Sequence, residues 1–583
     1  MSQPHSKSNA RHPKSTDETI KETFESIVIA FILAFIFRAY VVEAFIIPTG
    51  SMAPTLLGEH AALRCEQCGY DFAVDQSGQP NRMTRNQLQT ATCPMCKYPQ
   101  PVPLSSPTQT GDRLLVQKYV YYVAEPTRWD VVVFKNPQRL NDNGSPGPKT
   151  NYIKRLVGLP NESLHLIDGN VYVRPFDQPS APWRIARKTD PKENRHWEKI
   201  QRAVWQPIYH SQYVPLDHGR ALPSPGEDNP NRYTRGRRFD WDCPWVPPSE
   251  QVGAWDLGNA EEGWKRSYSF NPTANATGGS PSSSTFGELR FNWAEYHGRG
   301  TFYPYNTLTG GRGVFGRQPI EDIRLAATVE RGANEDLSIE FVATTRLEHE
   351  VETVVARFNP DGKVELLREN DSGRTTLALG QSKAWPDPPR AYELELWIVD
   401  QELLVWVDGE LVIRKAFDLP MDTLKLRVPP QDRPEVTIRV IGGSATLHGV
   451  ELDRDIAYTP SLSSNAQVAT FGAMRRAANG TLREVPPIPI RPGRYFVLGD
   501  NSPISSDGRF WGDVQPWIEK RMFEEADDWE PVPGYPFARD YAHVVPRGLM
   551  VGRAFFIYFP APYAVSPGGQ QLLPNFGDMR FVH

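Results

Sequence analysis

The stretch NYIKRLVGLPNESLHLIDGNVYV, residues 151–173, indicates the fold class of this chain. Apolar and polar residues alternate along it in short runs, which Gly, Pro and Asn separate. An alternation with a period of two places side chains on opposite faces of a sheet, so the stretch predicts strands and turns. The flanking runs GDRLLVQKYVYYV and RWDVVVFKNP, and the distant GRYFVLGD and MVGRAFFIYFP, have the same character. We therefore predict one sheet-rich domain made of residues 48–58, 111–173 and 491–583.

Length and composition extend this prediction to the whole chain. The 583 residues exceed what one hydrophobic core normally serves, so we expect several domains or long insertions. The 54 Pro, 44 Gly and 15 Trp favour turns and short strands, and hence a mainly β protein. The net charge of −5 and the lack of a long basic run argue against a nucleic-acid partner.

An apolar segment near the N-terminus predicts a membrane anchor. The polar residues 1–22 carry four basic side chains, and the run FESIVIAFILAFIFRAYVVEAFII follows. We predict a transmembrane helix over 23–47, because about 20 apolar residues cross a bilayer. Basic residues before the span predict a single-pass membrane protein with its N-terminus in the cytoplasm and the rest of the chain outside. A cleaved signal peptide is the alternative, but no small-x-small cleavage site follows the run.

Three insertions and a linker are expected between the parts of the sheet domain. Residues 59–110 hold four cysteines, and residues 174–254 lack periodicity apart from RHWEKIQRAVW, a candidate short helix. Residues 255–457 return to short strand-like runs with turn signals, which predicts an antiparallel β-sandwich of the jelly-roll type. A linker over 458–490 leads back to the sheet domain.

The four clustered cysteines form two Cys-x-x-Cys pairs in CEQCGY and CPMCKY, which resemble zinc-ribbon knuckles. These ligand candidates are Cys65, Cys68, Cys93 and Cys96. Their spacing suits a structural tetrahedral zinc site, whereas an oxidising compartment would favour two disulfides. Both interpretations stay open from the sequence. The fifth cysteine, Cys243, is predicted to be a buried or unpaired thiol.

A serine and a lysine are the candidates for chemistry. Ser51 follows Gly50 and precedes a Pro-fixed turn in PTGSMAPTL, at the end of the apolar segment. A serine hydroxyl needs a base before it becomes a good nucleophile. Lys154 lies in the predicted strand YIKRLV, where burial would lower the pKa of its amine and allow it to accept a proton.

These motifs resemble, in order, the signature boxes of bacterial type I signal peptidases. The matching stretches are PTGSMAPTL, GDRLLVQK, RWDVVVFKNP, YIKRLVGLP and GDNSPISSDGRFWG. The resemblance implies a serine endopeptidase in which Ser51 is the nucleophile and Lys154 the general base, with no cofactor for catalysis. It also implies that Thr49 contributes to the oxyanion hole and that Ser505 orients the lysine.

The resemblance further implies supporting and substrate-binding positions. A charged cluster beneath the site is expected from Asp500, Asp507, Arg509 and Arg155. Pocket walls for small residues at substrate positions −1 and −3 are expected from Ile47, Pro48, Met52, Tyr152 and Ile153. The implied partners are secretory preproteins and the lipid bilayer.

The sandwich resembles concanavalin-type or laminin-G-like jelly rolls in its pattern, so a glycan or protein ligand is a further expectation. Two other classes compete with the peptidase. One is a cell-surface binding protein with a degenerate peptidase core, and the other is a self-cleaving repressor. Intact Ser51, Lys154 and Ser505 argue against the first, and the apolar segment argues against the second.

Overall fold

The computed structural model describes most of the chain, with gaps. The described residues are 16–75, 89–102, 109–137, 150–167, 169–215, 220–221, 238–239, 241–249, 253–259, 261, 263–273, 286–293, 322–331, 337–347, 350–383, 391–419, 434–458, 470–471, 474–476, 482–484, 487–502, 505–509, 511, 543–561, 563–564, 572–573 and 575–583. The predicted cytoplasmic tail, 1–22, lies mostly outside these residues.

Strands dominate the described residues, and helices are few. The helices are α1 Thr16–Ile36, α2 Val120–Val123 and α3 Trp197–Val204. Short turns of other helical types cover Phe37–Val41, Gly50–Met52, Ser211–Tyr213, Arg547–Leu549 and Phe576–Asp578. The strands are β1 Val42–Ile46, β2 His60–Arg64, β3 Asp71–Asp75, β4 Gln89–Thr92, β5 Pro99–Val102, β6 Arg113–Gln117, β7 Val131–Lys135, β8 Asn151–Gly158, β9 Glu162–Ile167, β10 Asn170–Pro175, β11 Arg184–Ile185, β12 Gln206–His210, β13 Arg220–Ala221, β14 Arg238–Phe239, β15 Trp245–Val246, β16 Ala254–Asn259, β17 Gly263–Asn271, β18 Phe286–Phe291, β19 Ile323–Arg331, β20 Ser338–Leu347, β21 Glu350–Phe358, β22 Lys363–Asn370, β23 Gly373–Gln381, β24 Ala391–Val399, β25 Glu402–Val407, β26 Glu410–Ala416, β27 Val436–Ile441, β28 Ala445–Arg454, β29 Thr470–Phe471, β30 Met474–Arg476, β31 Leu482–Glu484, β32 Ile488–Ile490, β33 Arg494–Leu498, β34 Val545–Pro546, β35 Met550–Phe559, β36 Tyr563–Ala564, β37 Leu572–Leu573 and β38 Arg580–Phe581.

One sheet unites strands from both sides of the long insertion, and we call it the catalytic sheet. Its order is β1-β6-β35-β7-β8-β33-β34, with β38 added beside β35. Strands β7 and β33 bury nearly all of their residues, as expected for apolar strands covered on both faces. Strand β8 pairs antiparallel with both of them, so it lies in the middle of the sheet.

A smaller sheet extends this module. Strands β11, β10, β9 and β32 pair in that order, and β9 and β10 form an antiparallel hairpin in which Ile167 lies opposite Asn170. Apolar side chains of this sheet share a core with Phe496 and Leu498 of β33. We refer to the two sheets together as the catalytic module.

The predicted anchor, residues 23–47, differs from the structure at its C-terminal end. Residues Val42–Ile46 form β1 and pair antiparallel with β6, from Val42 opposite Gln117 to Ile46 opposite Arg113. The pairing gives backbone N–H and C=O groups of β6 hydrogen-bond partners at the edge of the catalytic sheet. If residues 42–46 continued the helix, these groups would have no strand partner on that side. Among the helices of the described residues, none combines the length and the apolar composition that crossing a bilayer requires.

Two further sheets pack as a β-sandwich within the insertion. The first has the order β16-β17-β28-β19-β24-β25-β26, with β12 beside β28, and the second has the order β15-β18-β27-β20-β21-β22-β23. Their inward-facing apolar side chains form the largest core cluster of the described residues. A mainly β chain with a sandwich, as predicted, is therefore observed.

The segment 174–254 is less irregular than its sequence suggests. It supplies α3 and β11, and its strands β12 and β15 join the two sheets of the sandwich. These pieces are two to eight residues long, too short to show a clear period in the sequence. The expected linker, 458–490, likewise starts with a buried residue, Tyr458, and ends in β32.

The four-cysteine lobe consists of two hairpins, β2–β3 and β4–β5. Each Cys-x-x-Cys lies between the two strands of one hairpin. Side chains of the lobe belong to the same core cluster as the sandwich, and Tyr70 packs edge-on against Tyr213 at 4.9 Å between ring centroids. The lobe is therefore docked on the insertion rather than isolated.

Candidate active site

Ser51 lies in the turn Gly50–Met52, which follows the edge strand β1. Ser51 is 8 % exposed and therefore buried. Asn501, which follows the long insertion in the sequence, holds this turn through two hydrogen bonds. Its backbone N–H donates to Ser51 O at 3.1 Å, and its side-chain amide donates to Gly50 O at 3.1 Å.

Lys154 reaches Ser51 from the centre of the catalytic sheet. It lies on β8 and is 4 % exposed, in a strand that buries every residue from 153 to 158 rather than alternate ones. Its Nζ lies 2.6 Å from Ser51 Oγ and 3.0 Å from Ile153 O. The structure thus brings the two predicted catalytic residues into direct hydrogen-bond contact.

Thr49 places a second hydroxyl beside the serine. Thr49 Oγ1 lies 3.4 Å from Ser51 Oγ, and Thr49 itself is exposed. When a serine Oγ attacks a carbonyl carbon, the carbonyl oxygen becomes an oxyanion. A hydroxyl at this distance from Oγ is within reach of such an oxyanion. Thr49 is therefore near the site, where the resemblance expects it.

The expected charged cluster centres on Asp500. Arg155 donates to both of its carboxylate oxygens, with Nε 2.8 Å from Oδ1 and Nη2 2.7 Å from Oδ2. Both side chains are fully buried. Burial lowers the pKa of Arg155, but the Asp500 carboxylate more than offsets this and raises it overall. Thr55 Oγ1 also donates to Asp500, at 2.6 Å, and so ties the segment after Ser51 to the ion pair.

Asp507 and Arg509 form a second buried pair beside the first. Arg509 Nη2 lies 2.6 Å from Asp507 Oδ2, and Arg509 Nη1 donates to Ser502 Oγ at 2.7 Å. Asp507 also accepts the backbone N–H of Gly499 at 3.0 Å. These contacts shape the loop that carries Asp500 and Asn501.

Ser505 lies beside the turn that carries Ser51, and its role in orienting Lys154 stays a prediction. The resemblance implies that it orients Lys154, yet Lys154 donates to Ser51 and to Ile153 O in this structure. Ser505 is 2 % exposed, and its Oγ has no hydrogen-bond partner among the described residues. A Cβ built on Gly499 would lie 2.2 Å from Ser505 Oγ and 2.4 Å from Ser51 O, so Ser505 lies against the serine's backbone.

The five predicted pocket residues surround the same region but differ in access. Ile47, Met52 and Ile153 belong to one buried core cluster with strands of the catalytic sheet. Pro48 is exposed and Tyr152 is half-buried, with Lys154 Nζ 5.6 Å from its ring centroid. The buried members therefore lie in the core, and their role as pocket walls stays a prediction.

Prediction from the sequence did not identify three residues that form hydrogen bonds to Asp500 or to the Ser51 turn. Thr55 and Asn501 lie inside the motifs PTGSMAPTL and GDNS, so their positions offered a signal. Tyr458, whose Oη donates to Asp500 Oδ1 at 3.4 Å, lies in the expected linker and carries no motif. Only the topology of the insertion brings it there.

The four clustered cysteines meet at one point in the other predicted site. All five cysteines of the chain are described, and none of them forms a disulfide in this structure. Cys65 Sγ lies 3.6 Å from Cys96 Sγ, and Cys68 Sγ lies 3.7 Å from Cys93 Sγ. A tetrahedral zinc with Zn–S bonds of about 2.3 Å separates its sulfurs by about 3.8 Å, which matches these distances.

The backbone around the two cysteine pairs has a matching geometry. The N–H of Gln67 lies 3.4 Å from Cys65 Sγ, and the N–H of Met95 lies 3.4 Å from Cys93 Sγ. Gly69 and Lys97, each following a second cysteine, have positive φ angles of 74° and 64°. The two loops are therefore equivalent turns that aim four sulfurs at one centre, and they fit a structural metal.

The arrangement around Ser51 defines a class of site. The Ser51 hydroxyl lies beside a buried lysine amine, and a second hydroxyl, that of Thr49, lies 3.4 Å from it. Serine hydrolases that use lysine in place of histidine need a hydroxyl and an amine in contact of this kind.

A comparison with protein-family models finds one that matches part of the chain. The family model described as "Signal peptidase, peptidase S26" matches residues 97–219 and 435–520. These ranges contain Lys154, Arg155, Asp500 and Asp507, whereas Ser51 lies outside them. The predicted resemblance to type I signal peptidases is thereby confirmed.

Curated relatives agree with the family match. Signal peptidase I of Rickettsia typhi is 27% identical over 163 residues, which are 28% of this chain and 47% of that protein. Signal peptidase I of Rickettsia prowazekii is 25% identical over 159 residues, or 27% of this chain and 45% of that protein. The chain thus spans about half the length of the curated relatives that it matches.

Solved structures resemble parts of the chain only distantly. A carbohydrate-binding module, CBM66 from Bacillus subtilis, covers 36% of this chain and 95% of its own, with a TM-score of 0.20 and 12% identity. Sheep galectin-11 in complex with glycerol covers 23% and 90%, with a TM-score of 0.17 and 13% identity. Scores this low carry no argument about this chain.

Proposed function

We propose that this chain is a membrane-bound serine endopeptidase that cleaves N-terminal signal peptides from exported preproteins with a Ser51–Lys154 dyad. The observation that carries the proposal is the 2.6 Å separation of Lys154 Nζ and Ser51 Oγ in a buried site. The match of the surrounding segments to signal peptidases gives the reaction its substrate class.

The reaction would proceed through an acyl-enzyme. Ser51 Oγ attacks the carbonyl carbon of the scissile peptide bond while Lys154 Nζ takes the hydroxyl proton. The carbonyl oxygen becomes an oxyanion, which the Ser51 backbone N–H and the Thr49 hydroxyl stabilise. The C–N bond then breaks, and the lysine ammonium returns the proton to the leaving amine. A water molecule, deprotonated by Lys154, hydrolyses the ester and regenerates the serine.

Substrate selection rests on the apolar residues next to the dyad. Small side chains at positions −1 and −3 would fit shallow pockets between Ile47, Pro48, Met52, Tyr152 and Ile153. An extended signal-peptide segment would lie along the site as an added strand. Half-buried Tyr152 and exposed Pro48 support contact with substrate, because both are accessible from solvent.

Membrane attachment through a single N-terminal anchor in the inner membrane belongs to the same proposal. Helix α1 leads directly into the helical turn Phe37–Val41 and exposes large apolar side chains. Phe24, Phe31 and Phe35 are 67%, 61% and 66% exposed. Apolar surface of this kind is stabilised when lipid covers it. Ser51 follows this segment after one strand, so it would meet substrates close to the bilayer surface.

We propose a structural zinc ion, with no part in catalysis, at the four-cysteine lobe. The sulfur separations and the paired turns around Cys65 and Cys93 support zinc over two disulfides. Cys65, Cys68, Cys93 and Cys96 would bind it as thiolates and leave no open coordination position. Bound zinc would hold the two hairpins of the lobe together.

The experiment uses the full chain in detergent and a preprotein with Ala at −1 and −3. We expect cleavage after the −1 residue, established by mass spectrometry of the products, and loss of cleavage when −1 is Phe. Ser51→Ala is expected to be inactive. Ser211→Ala, which removes a buried hydroxyl bonded to Arg266 O, is the matched control and is expected to cleave normally. An intact preprotein with wild-type enzyme, or cleavage by Ser51→Ala, refutes the proposal.

A further inference from the structure

The chain that leaves the sandwich enters the core of the catalytic module. Strand β28 ends at Arg454, and the next residues, Asp455, Ile456 and Tyr458, are 4%, 3% and 1% exposed. Ile456 and Tyr458 pack in one cluster with apolar side chains of β8, β9, β10 and β33. The Tyr458 N–H donates to Gly169 O, in the hairpin of the small sheet, at 3.0 Å. The insertion thus contributes core residues to the domain that it interrupts.

The Tyr458 side chain ends at the ion pair beneath the candidate dyad. Its hydroxyl donates to Asp500 Oδ1 at 3.4 Å, the oxygen that also accepts Arg155 Nε. Burial, followed by the charge of Asp500, raises the pKa of the Tyr458 phenol well above its usual range. The phenol is therefore a neutral donor at all ordinary pH values. Asp500 accepts bonds from three different parts of the chain.

Two of those parts carry the candidate catalytic residues. Thr55 is four positions after Ser51, and Arg155 is next to Lys154. The third part is the insertion. Because Thr55, Arg155 and Tyr458 donate to one carboxylate, a shift of Asp500 would disturb its hydrogen bonds to Thr55 and Arg155 together.

A buried ion-pair cluster fixes the position of the segment that carries Tyr458. Lys188 Nζ lies 2.8 Å from Asp455 Oδ2 and 2.6 Å from Asp400 Oδ1 of the sandwich. The Gln201 amide of α3 donates to Asp455 Oδ1 at 2.9 Å. Asp455 is therefore held both by Lys188, which also binds Asp400 of the sandwich, and by Gln201 of α3.

We propose that Tyr458 is a positioning residue, supplied by the insertion, that holds Asp500 and thereby the relative placement of Ser51 and Lys154. The inference rests on the proposed peptidase function and deepens it, because it makes the insertion part of the support of the site. Tyr458 touches no reacting atom.

The test compares Tyr458→Phe with wild type and with Tyr172→Phe. Tyr172 is a matched control, since it is 2% exposed in the small sheet and its hydroxyl accepts from Gln401 of the sandwich rather than touching Asp500. We expect Tyr458→Phe to lower kcat by about tenfold with little change in KM, because it removes a hydrogen bond to a charged group. Tyr172→Phe is expected to keep the wild-type kcat.

Hydrogen exchange gives a second readout that does not depend on activity. In Tyr458→Phe the amides of residues 49–57 and 499–502 are expected to exchange about tenfold faster than in wild type and in Tyr172→Phe. Unchanged exchange in these segments overturns the inference even if no preprotein is cleaved. In an enzyme that cleaves its preprotein, an unchanged kcat, or an equal loss in Tyr172→Phe, overturns it while leaving the proposed function intact.

Discussion

Ser51 and Lys154 are separated by 103 positions in the chain, and their side chains meet because β1 and β8 belong to one sheet. The motifs predicted this pair, and Asp500 with Arg155, since each residue lies inside a short recognisable stretch. Tyr458 was not predictable in this way, because nothing near it in sequence marks it. The Ser505 hydroxyl has no hydrogen-bond partner among the described residues, so its role in orienting Lys154 stays a prediction.

Thr49 gives a prediction at the scale of one hydroxyl. Its Oγ1 lies 3.4 Å from Ser51 Oγ, so Thr49→Val removes a donor while keeping the shape of the side chain. We expect kcat for preprotein cleavage to fall by about 10² to 10³, the usual cost of one oxyanion-hole donor. Thr49→Ser keeps the hydroxyl and is expected to remain within a few fold of wild type. A Thr49→Val enzyme as active as Thr49→Ser would exclude this role.

Helix α3 links the two large parts of the molecule. Ile200 and Val204 pack into the core of the catalytic module, whereas Trp197 stacks near Trp406 of the sandwich, 5.9 Å between ring centroids. Arg202 lies over the same Trp406 ring at 5.1 Å. The sequence of this segment suggested a short helix, but its two partners come from distant parts of the chain and were not foreseen.

Ile200 therefore carries a prediction at the scale of the element. It is 2% exposed, so Ile200→Ala leaves a cavity between α3 and the catalytic module. We expect the free energy of unfolding to fall by about 2–5 kcal/mol in chemical denaturation. The exposed neighbour Lys199 supplies the control, and Lys199→Ala is expected to change stability by less than about 0.5 kcal/mol. Equal stability of the two variants would mean that α3 is not packed as described.

At the scale of the whole molecule, alternation in short strands predicted a mainly β chain, and the sandwich has that form. The sequence did not reveal how the insertions join. The four-cysteine lobe shares a core with the sandwich, and β12 and β15 from the apparently irregular segment complete its sheets. Such pairings depend on residues far apart in sequence, so local periodicity does not report them. The predicted glycan or protein ligand of the sandwich stays a prediction.

Zinc content tests the four-cysteine lobe within the intact chain. We expect about one zinc per chain in protein purified without added metal, measured by elemental analysis, and four protected thiols that react after chelation. Cys65→Ser with Cys96→Ser is expected to abolish zinc binding and to lower the melting temperature. Cys243→Ser is the control, since Cys243 is equally buried and lies outside the cluster. A metal-free wild type with two disulfides would refute the site.

The central claim is that Ser51 and Lys154 act as one catalytic unit, and one measurement tests it most directly. It is kcat/KM for cleavage of a single preprotein by wild type, Ser51→Ala, Lys154→Ala and the double variant. Residues that act as a unit are not additive, so each single change should cost at least about 10³-fold and the double variant should be no worse than either. A single variant that retains near-wild-type turnover, or losses that multiply in the double variant, would contradict the account.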